Sequence, residues 1–374
     1  MWTFIAIIAG TAAGGFLLDL AGANIWLSGL CLAIFAAIGC IASFGIPHTP
    51  VARSEGGFVD TIKGSLQAIL ADRVIWLAVL GSGLFWAIAS LLGQDILVYA
   101  KALTLGQPDS DTLSGLPLAF YGIGVGLGSV WAGRLSGRLV EYGLIPLGAI
   151  GIGFFTMLFG LIAPGYYLTL VFMAALGIAS GLIVVPLNAI LQWRSPAERR
   201  GGVIALANVF IFASIVVGSL GAAGLAVAGL TPLGILIFTS IITTAGMLWA
   251  IYLLPDFLIR LIFVIITHFF YRLTIVNGEK IPLEGGALLV PNHVSFIDSF
   301  LVMASTDRQV RFLVDEIYYH HPLLHWLMKA MHAIPVSATG GLKMILRALR
   351  DAGSFLDQGD LVCIFAEGQI TRTG

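Results

Sequence analysis

Two side chains near residue 295 have the types that general-base chemistry needs. His293 and Asp298 lie five positions apart in Pro291-Asn292-His293-Val294-Ser295-Phe296-Ile297-Asp298-Ser299-Phe300. A histidine of near-neutral pKa can take a proton from an alcohol. A carboxylate beside it can fix the imidazole tautomer and stabilise the imidazolium that forms. A five-residue step turns about 140° on a straight helix. The two side chains therefore meet only if His293 sits in a turn and Asp298 in the first turn of the helix that follows. The apolar run Ala287-Leu288-Leu289-Val290 just upstream predicts that strand–turn–helix arrangement. Taken alone, the pair fits equally well an ordinary loop histidine followed by an acidic residue near a helix start.

A second block lies some seventy residues on. The apolar run Leu361-Val362-Cys363-Ile364-Phe365 ends in Ala366-Glu367-Gly368-Gln369-Ile370-Thr371-Arg372-Thr373-Gly374. Together the two blocks resemble the glycerolipid acyltransferase family, which carries N-H-x4-D and then F-P-E-G with a Thr/Arg/Ser-rich tail. The resemblance implies acyl transfer from a thioester to a glycerolipid hydroxyl. His293 would be the general base and Asp298 would orient it. Asn292 and Ser295 would shape the turn or hydrogen-bond the acceptor; asparagine is also an ordinary turn residue. Glu367 and Gly368 match the block that positions the acceptor's glycerol phosphate. Gly368 would let backbone N–H groups approach phosphate oxygens. Glu367 is negative, so it would fix the loop or contact a hydroxyl. Arg372 is the natural phosphate cation. Ala366 stands where the family has proline, and Arg311 is the stand-in for an arginine of the family's middle block.

The elements around these residues read as α/β. Leu273–Val276 and Ala287–Val290 are expected strands around an Asn277-Gly278 turn. Phe296–Ser305 is an expected helix, Arg311–Val314 a strand and Ile317–Met331 an amphipathic helix. Ala333–Val336 is a strand and Leu342–Gln358 a helix with Lys343, Arg347 and Arg350 on one side. His321 and His325 are four apart, but no carboxylate completes a site, so no metal is expected. Leu258–Tyr271 is too short to span and reads as a helix lying at the cytoplasmic interface.

Upstream the chain changes character. Overall it is 58% hydrophobic and only 10% charged, with a mean hydropathy of +0.98. Soluble domains carry about 25% charged residues, so this is a membrane protein. A net charge of −1 gives no basic field for nucleic acid. Cys31, Cys40 and Cys363 make neither a disulfide framework nor a zinc pattern. Residues 1–254 hold nine Lys/Arg and nine Asp/Glu, against ten and eleven in 255–374. That shift divides the chain into a membrane part (1–254), an interfacial linker (255–272) and a water-facing part (273–374). Eight spans are expected near 2–19, 24–46, 75–97, 113–133, 143–162, 167–191, 203–227 and 232–254. Arg53, Lys63, Arg73, Arg134, Arg138, Arg194, Arg199 and Arg200 lie in alternate connections; the opposite ones carry only Lys101. The positive-inside rule puts the basic connections and the C-terminal part in the cytoplasm. The glycines of Gly122–Gly128 are expected to serve helix packing. Asp95, inside the third span, is either an interfacial carboxylate or a group that meets a substrate headgroup or coupling ion.

The long connection near 47–74, with an amphipathic helix at Phe58–Leu70, resembles the major facilitator superfamily, in which two six-helix halves are joined by a cytoplasmic loop. Gly133-Arg134-Leu135-Ser136-Gly137-Arg138 falls where that family carries a G-x-L-[A/S]-D-R-like loop, with Gly137 in the acidic place. The spans then correspond to the last two of the first half and all six of the second. The whole chain is similar to bacterial fusions of a lysophospholipid transporter with a 2-acylglycerophosphoethanolamine acyltransferase, and on that resemblance it is expected to be truncated at both ends. The implied partners are lysophospholipid, the bilayer and acyl carrier protein. Acyl-ACP or acyl-CoA would be the donor, with no bound cofactor. The implied location is the bacterial inner membrane. Two other readings stand beside this one. One is a membrane-anchored 1-acylglycerol-3-phosphate acyltransferase. The other is an exporter with an incidental tail.

Overall fold

The computed structural model describes residues 10, 13–14, 16–22, 24–45, 57–107, 109–136, 140–253, 255–282, 284–306, 308–337 and 341–368 of the 374-residue chain. Among these, seven helices are long and apolar enough to cross a membrane. They are α1 (Ile25–Ser43), α3 (Arg73–Leu103), α4 (Ser110–Leu135), α5 (Leu144–Ile162), α6 (Tyr166–Trp193), α7 (Arg200–Val227) and α8 (Pro232–Leu253); the amphipathic α2 (Phe58–Ala71) precedes α3. In lipid a helix satisfies every backbone group within itself, which is why these apolar runs fold this way. The expected first span, 2–19, falls mostly outside the described residues, although residues 16–21 are helical.

The chain divides into two compact units. The first comprises Met1–Arg134 and Leu147–Met247. Within it, Asp72 caps α3 by accepting from the Val74 and Ile75 N–H groups at 2.8 and 3.3 Å. The same carboxylate pairs with Arg194 Nε, at the end of α6, at 2.7 Å. Arg199 donates to Gly64 O of α2 at 3.0 Å. Two of the expected basic connections thus tie helix ends together. The glycines of α4 do pack: a Cβ on Gly124 or Gly128 would overlap the Ala174 or Ile178 carbonyl of α6, whereas Gly126 faces open space.

The second unit comprises Leu135–Pro146 and Leu248–Gly374. After the last residues of α8 it continues with α9 (Pro255–Phe270), whose 16 residues reach about 24 Å, short of the ~30 Å a span needs. Leu258, Ile259 and Leu261 are buried while Ile262, Ile265, Ile266 and Phe269 are exposed, so one apolar face is left outward. After a 3-10 turn (Gly278–Lys280) come β1 (Ala287–Leu289), α10 (Asp298–Ala304) and β2 (Val310–Asp315). They are followed by α11 (Glu316–Tyr319), α12 (His325–Ala330), β3 (Ile334–Val336), α13 (Gly341–Asp357) and β4 (Leu361–Cys363). The four strands pair parallel in the order β1-β4-β2-β3. Period-two alternation splits β4 between two cores. Leu361 and Cys363 join Met303, Val310 and Phe312 on one face; Val362 joins Ile334, Ala348 and Ala352 under α13 on the other. Phe263 of α9 packs on the first of these cores, so this helix is part of the domain.

Two expectations fail. Leu273–Val276 is not a strand: Asn277 adopts φ +58° and leads into the 3-10 turn, and Pro282 has no N–H to continue a ladder. A hairpin needs its second strand to follow the turn directly, and six residues separate Lys280 from β1. The single helix at Ile317–Met331 is instead two short ones, α11 and α12, broken around Pro322, which disfavours helical backbone at His321.

Candidate active site

β1 and β4 are hydrogen-bonded neighbours running the same way, in the register Ala287↔Leu361 and Leu289↔Cys363. Their C-terminal ends therefore lie side by side, and so do the loops that leave them. In open parallel sheets, ligands bind at that end. Arg308 holds the opposite end together, donating to Pro282 O and Gly285 O at 2.7 Å each and to Gly359 O.

The loop after β1 carries His293, and α10 begins at Asp298, the arrangement that the five-residue step required. His293 Nδ1 lies 3.2 Å from Asp298 Oδ2, with the side chains 16% and 18% exposed. The same oxygen accepts the Val294 and Ser295 backbone N–H groups at 2.7 and 2.8 Å. One carboxylate thus shapes the turn and faces the ring. Burial acts to raise the Asp298 carboxyl. The Ser295 and Val294 N–H groups and the His293 ring outweigh it, so the group sits below its usual 3.8. An ionised Asp298 facing Nδ1 favours the tautomer with the proton there, which leaves the lone pair on Nε2.

The loop after β4 closes on the first. Glu367 Oε2 accepts the His293 backbone N–H at 2.6 Å, which ties the two loops together. Gly368 takes φ +68°, a left-handed conformation that favours glycine, and its own N–H is bonded to Phe365 O at 3.1 Å. That N–H is therefore already used within the turn. Phe365 stacks on the imidazole, with ring centroids 4.1 Å apart and planes at 22°. Sequence reasoning did not single it out. The aromatic two positions before Glu367 was the available signal.

The remaining expected residues are less gathered. Ser295 Oγ accepts from Ile297 N at 3.4 Å, and Asn292 is exposed on the same loop. Arg372 lies outside the described residues. Arg311 does not serve the site in the way expected of a middle-block arginine. It pairs with Asp360 at 3.1 Å, donates to Met331 O and lies over the Phe355 ring. Asp95 is in the first unit, within α3, and only 4% exposed. Residues 137–139 of the expected G-x-L-S-G-R loop are outside the described set.

The sequence model of the Major Facilitator Superfamily matches residues 1–219, and that of the Acyltransferase family matches residues 272–374. The lysophospholipid transporter LplT of Photorhabdus laumondii is 29% identical over 201 residues, covering 51% of this chain and 47% of that protein. Its counterpart in an Enterobacter species is 31% identical over 221 residues, covering 55% and 52%. That of Yersinia pestis is 32% identical over 221 residues, covering 55% and 51%. The chain spans about half the length of the curated relatives it matches. No solved structure matches it. The paired motif loops at the ends of β1 and β4 lie inside the acyltransferase match, and six of the seven apolar helices begin inside the facilitator match. The chain is a multi-pass membrane protein that belongs to the Major Facilitator Superfamily and carries an acyltransferase domain after its membrane part.

Proposed function

We propose that the protein moves lysophospholipid across the bacterial inner membrane and re-acylates it on the cytoplasmic side. The observation that carries the enzymatic half is the closure of the Glu367 loop on His293, with Asp298 facing the same ring. The transport half rests on the relatives named as lysophospholipid transporters. The excess of basic residues in alternate connections supports a cytoplasmic domain.

The acceptor's glycerol hydroxyl attacks the thioester carbonyl of an acyl carrier protein or coenzyme A donor. As the new C–O bond forms, the hydroxyl proton passes to His293 Nε2. Asp298 holds the ring and stabilises the imidazolium. Collapse of the tetrahedral adduct breaks the C–S bond, and the thiolate leaves with the proton from His293. Phe365 fixes the imidazole plane, Asn292 and Ser295 contact the acceptor, and Arg372 meets its phosphate. No metal or bound cofactor takes part. Asp95 serves the transport half, meeting the headgroup or a coupling ion.

The test is His293→Ala in the full-length protein, with acyl transfer and lysolipid uptake measured in the same vesicles. Acyl transfer should fall by about 10²- to 10⁴-fold while uptake stays. Unchanged acylation would sink the assignment. Offering lysophosphatidylethanolamine and lysophosphatidate as acceptors separates this reading from a lysophosphatidate acyltransferase anchored by idle spans.

A further inference from the structure

A piece of the membrane part is built into the acyltransferase unit. Leu135–Pro146 joins α4 to α5, yet it groups with residues 248–374. Three contacts seat it on the start of α9. Glu141 and Arg260 form an ion pair in which both side chains are 5% exposed. The Tyr142 and Phe257 rings meet edge to face at 4.7 Å. Gly143 approaches so closely that a Cβ would overlap Phe257 O and Leu261 Cβ, and its N–H donates to Glu141 Oε1 at 3.3 Å.

Arg260 also reaches the other way. Its second terminal nitrogen donates to Thr306 O at 2.7 Å, just past the last residue of α10. Phe263, one turn along α9, packs on Phe300 of α10 with ring centroids 4.6 Å apart. The first residue of α10 is Asp298. A buried ion pair is a weak way to gain stability, because desolvating two charges largely offsets their attraction. What a guanidinium adds is direction, since its planar fork holds several acceptors in fixed geometry.

We infer that Arg260 is a positioning residue for acyl transfer. It clamps the C-terminal end of α10 to the Glu141 segment, and so keeps Asp298, at the helix's other end, aligned with His293. The inference rests on the acyl-transfer reading proposed above. It makes the Glu141 segment a supporting part of the acyltransferase site.

The experiment uses the full-length protein in proteoliposomes, with Glu141→Gln, Arg260→Met, the double variant, Glu141→Asp and His293→Ala side by side. For each, kcat and KM for lysophospholipid, lysolipid uptake and the monodisperse fraction by size exclusion are measured. Displacement of a reacting group by about 1 Å costs up to about 10²-fold, so each single neutralisation should lower kcat by about ten- to a hundredfold. KM should stay within about twofold and uptake should be retained. The double variant should be no worse than the worse single, since the two side chains act as one unit, and Glu141→Asp should recover part of the loss. A Glu141→Gln protein with wild-type kcat beside an inactive His293→Ala overturns the inference alone. So does a kcat loss that merely tracks the folded fraction. An active His293→Ala overturns the acyl-transfer reading and this inference with it.

Discussion

Replacing Asp298 with asparagine separates charge from shape at the candidate site. The wild-type carboxylate oxygen accepts two backbone N–H groups, from Val294 and Ser295, and faces His293 Nδ1. An asparagine carbonyl can still accept both N–H groups, so the turn should survive. What is lost is the negative charge and the preference for a proton on Nδ1. If the amide NH₂ faces the ring instead, Nδ1 becomes the acceptor, Nε2 carries the proton, and the base faces the substrate in the wrong form. General-base catalysis supplies about 10²- to 10⁴-fold, and each tenfold is about 1.4 kcal/mol. An expected kcat loss of about 10³-fold therefore corresponds to about 4 kcal/mol, nearly all of the base's contribution. KM for the acceptor should stay within about twofold. The assay is steady-state acyl transfer by the full-length protein from pH 4 to 8. Because the folded carboxyl lies below 3.8, it stays ionised across that range and the wild-type advantage should persist throughout it. An Asp298→Asn protein that keeps more than about a tenth of wild-type kcat would refute the orienting role.

Two further outcomes follow from packing. Gly128→Ala should lower the thermal stability of the purified membrane protein by about 1–3 kcal/mol, the usual cost of overpacking, whereas Gly126→Ala should be neutral. Equal stability of the two variants in a thermal-shift assay would contradict the close approach of α4 to α6. Burial pushes the Cys363 thiol up to about 12, so in a protein whose other two cysteines are replaced it should resist maleimide at pH 8 until denaturant is added. Rapid labelling of the native protein would mean that β4 is not in the core.

Much of this was legible because the signals are strong and local. Runs of twenty apolar residues leave the backbone little choice in lipid, and seven of the eight expected spans fall on described helices. The step from His293 to Asp298 is informative because only one local arrangement lets the two side chains meet, and the structure has it. The misreadings have different physical roots. Leu273–Val276 has strand-like residues, but a strand also needs an edge to pair with, and no window of sequence shows one. The break at Pro322 was readable from a known backbone rule. Arg311 illustrates a harder limit. A cation's sequence neighbourhood does not reveal whether its fork turns to a ligand or, as here, to Asp360 and a main-chain carbonyl. The grouping of Leu135–Pro146 with the acyltransferase was hidden for the same reason, since Glu141 and Arg260 are 119 positions apart.

The adjacency of β1 and β4 has a consequence for how the domain comes into being. His293 and Glu367 are 74 positions apart, and closing a loop of that length costs about 4 kcal/mol of chain entropy before any contact repays it. Among the described residues β1 pairs only with β4, so during synthesis it waits as an unpaired edge until β4 emerges. The His293 loop is thus completed late, by a strand made some seventy residues after it. A ribosome stalled before residue 361 would present a domain with His293 in place and its candidate site unbuilt, and nascent chains at that stage should be the ones most prone to mispairing.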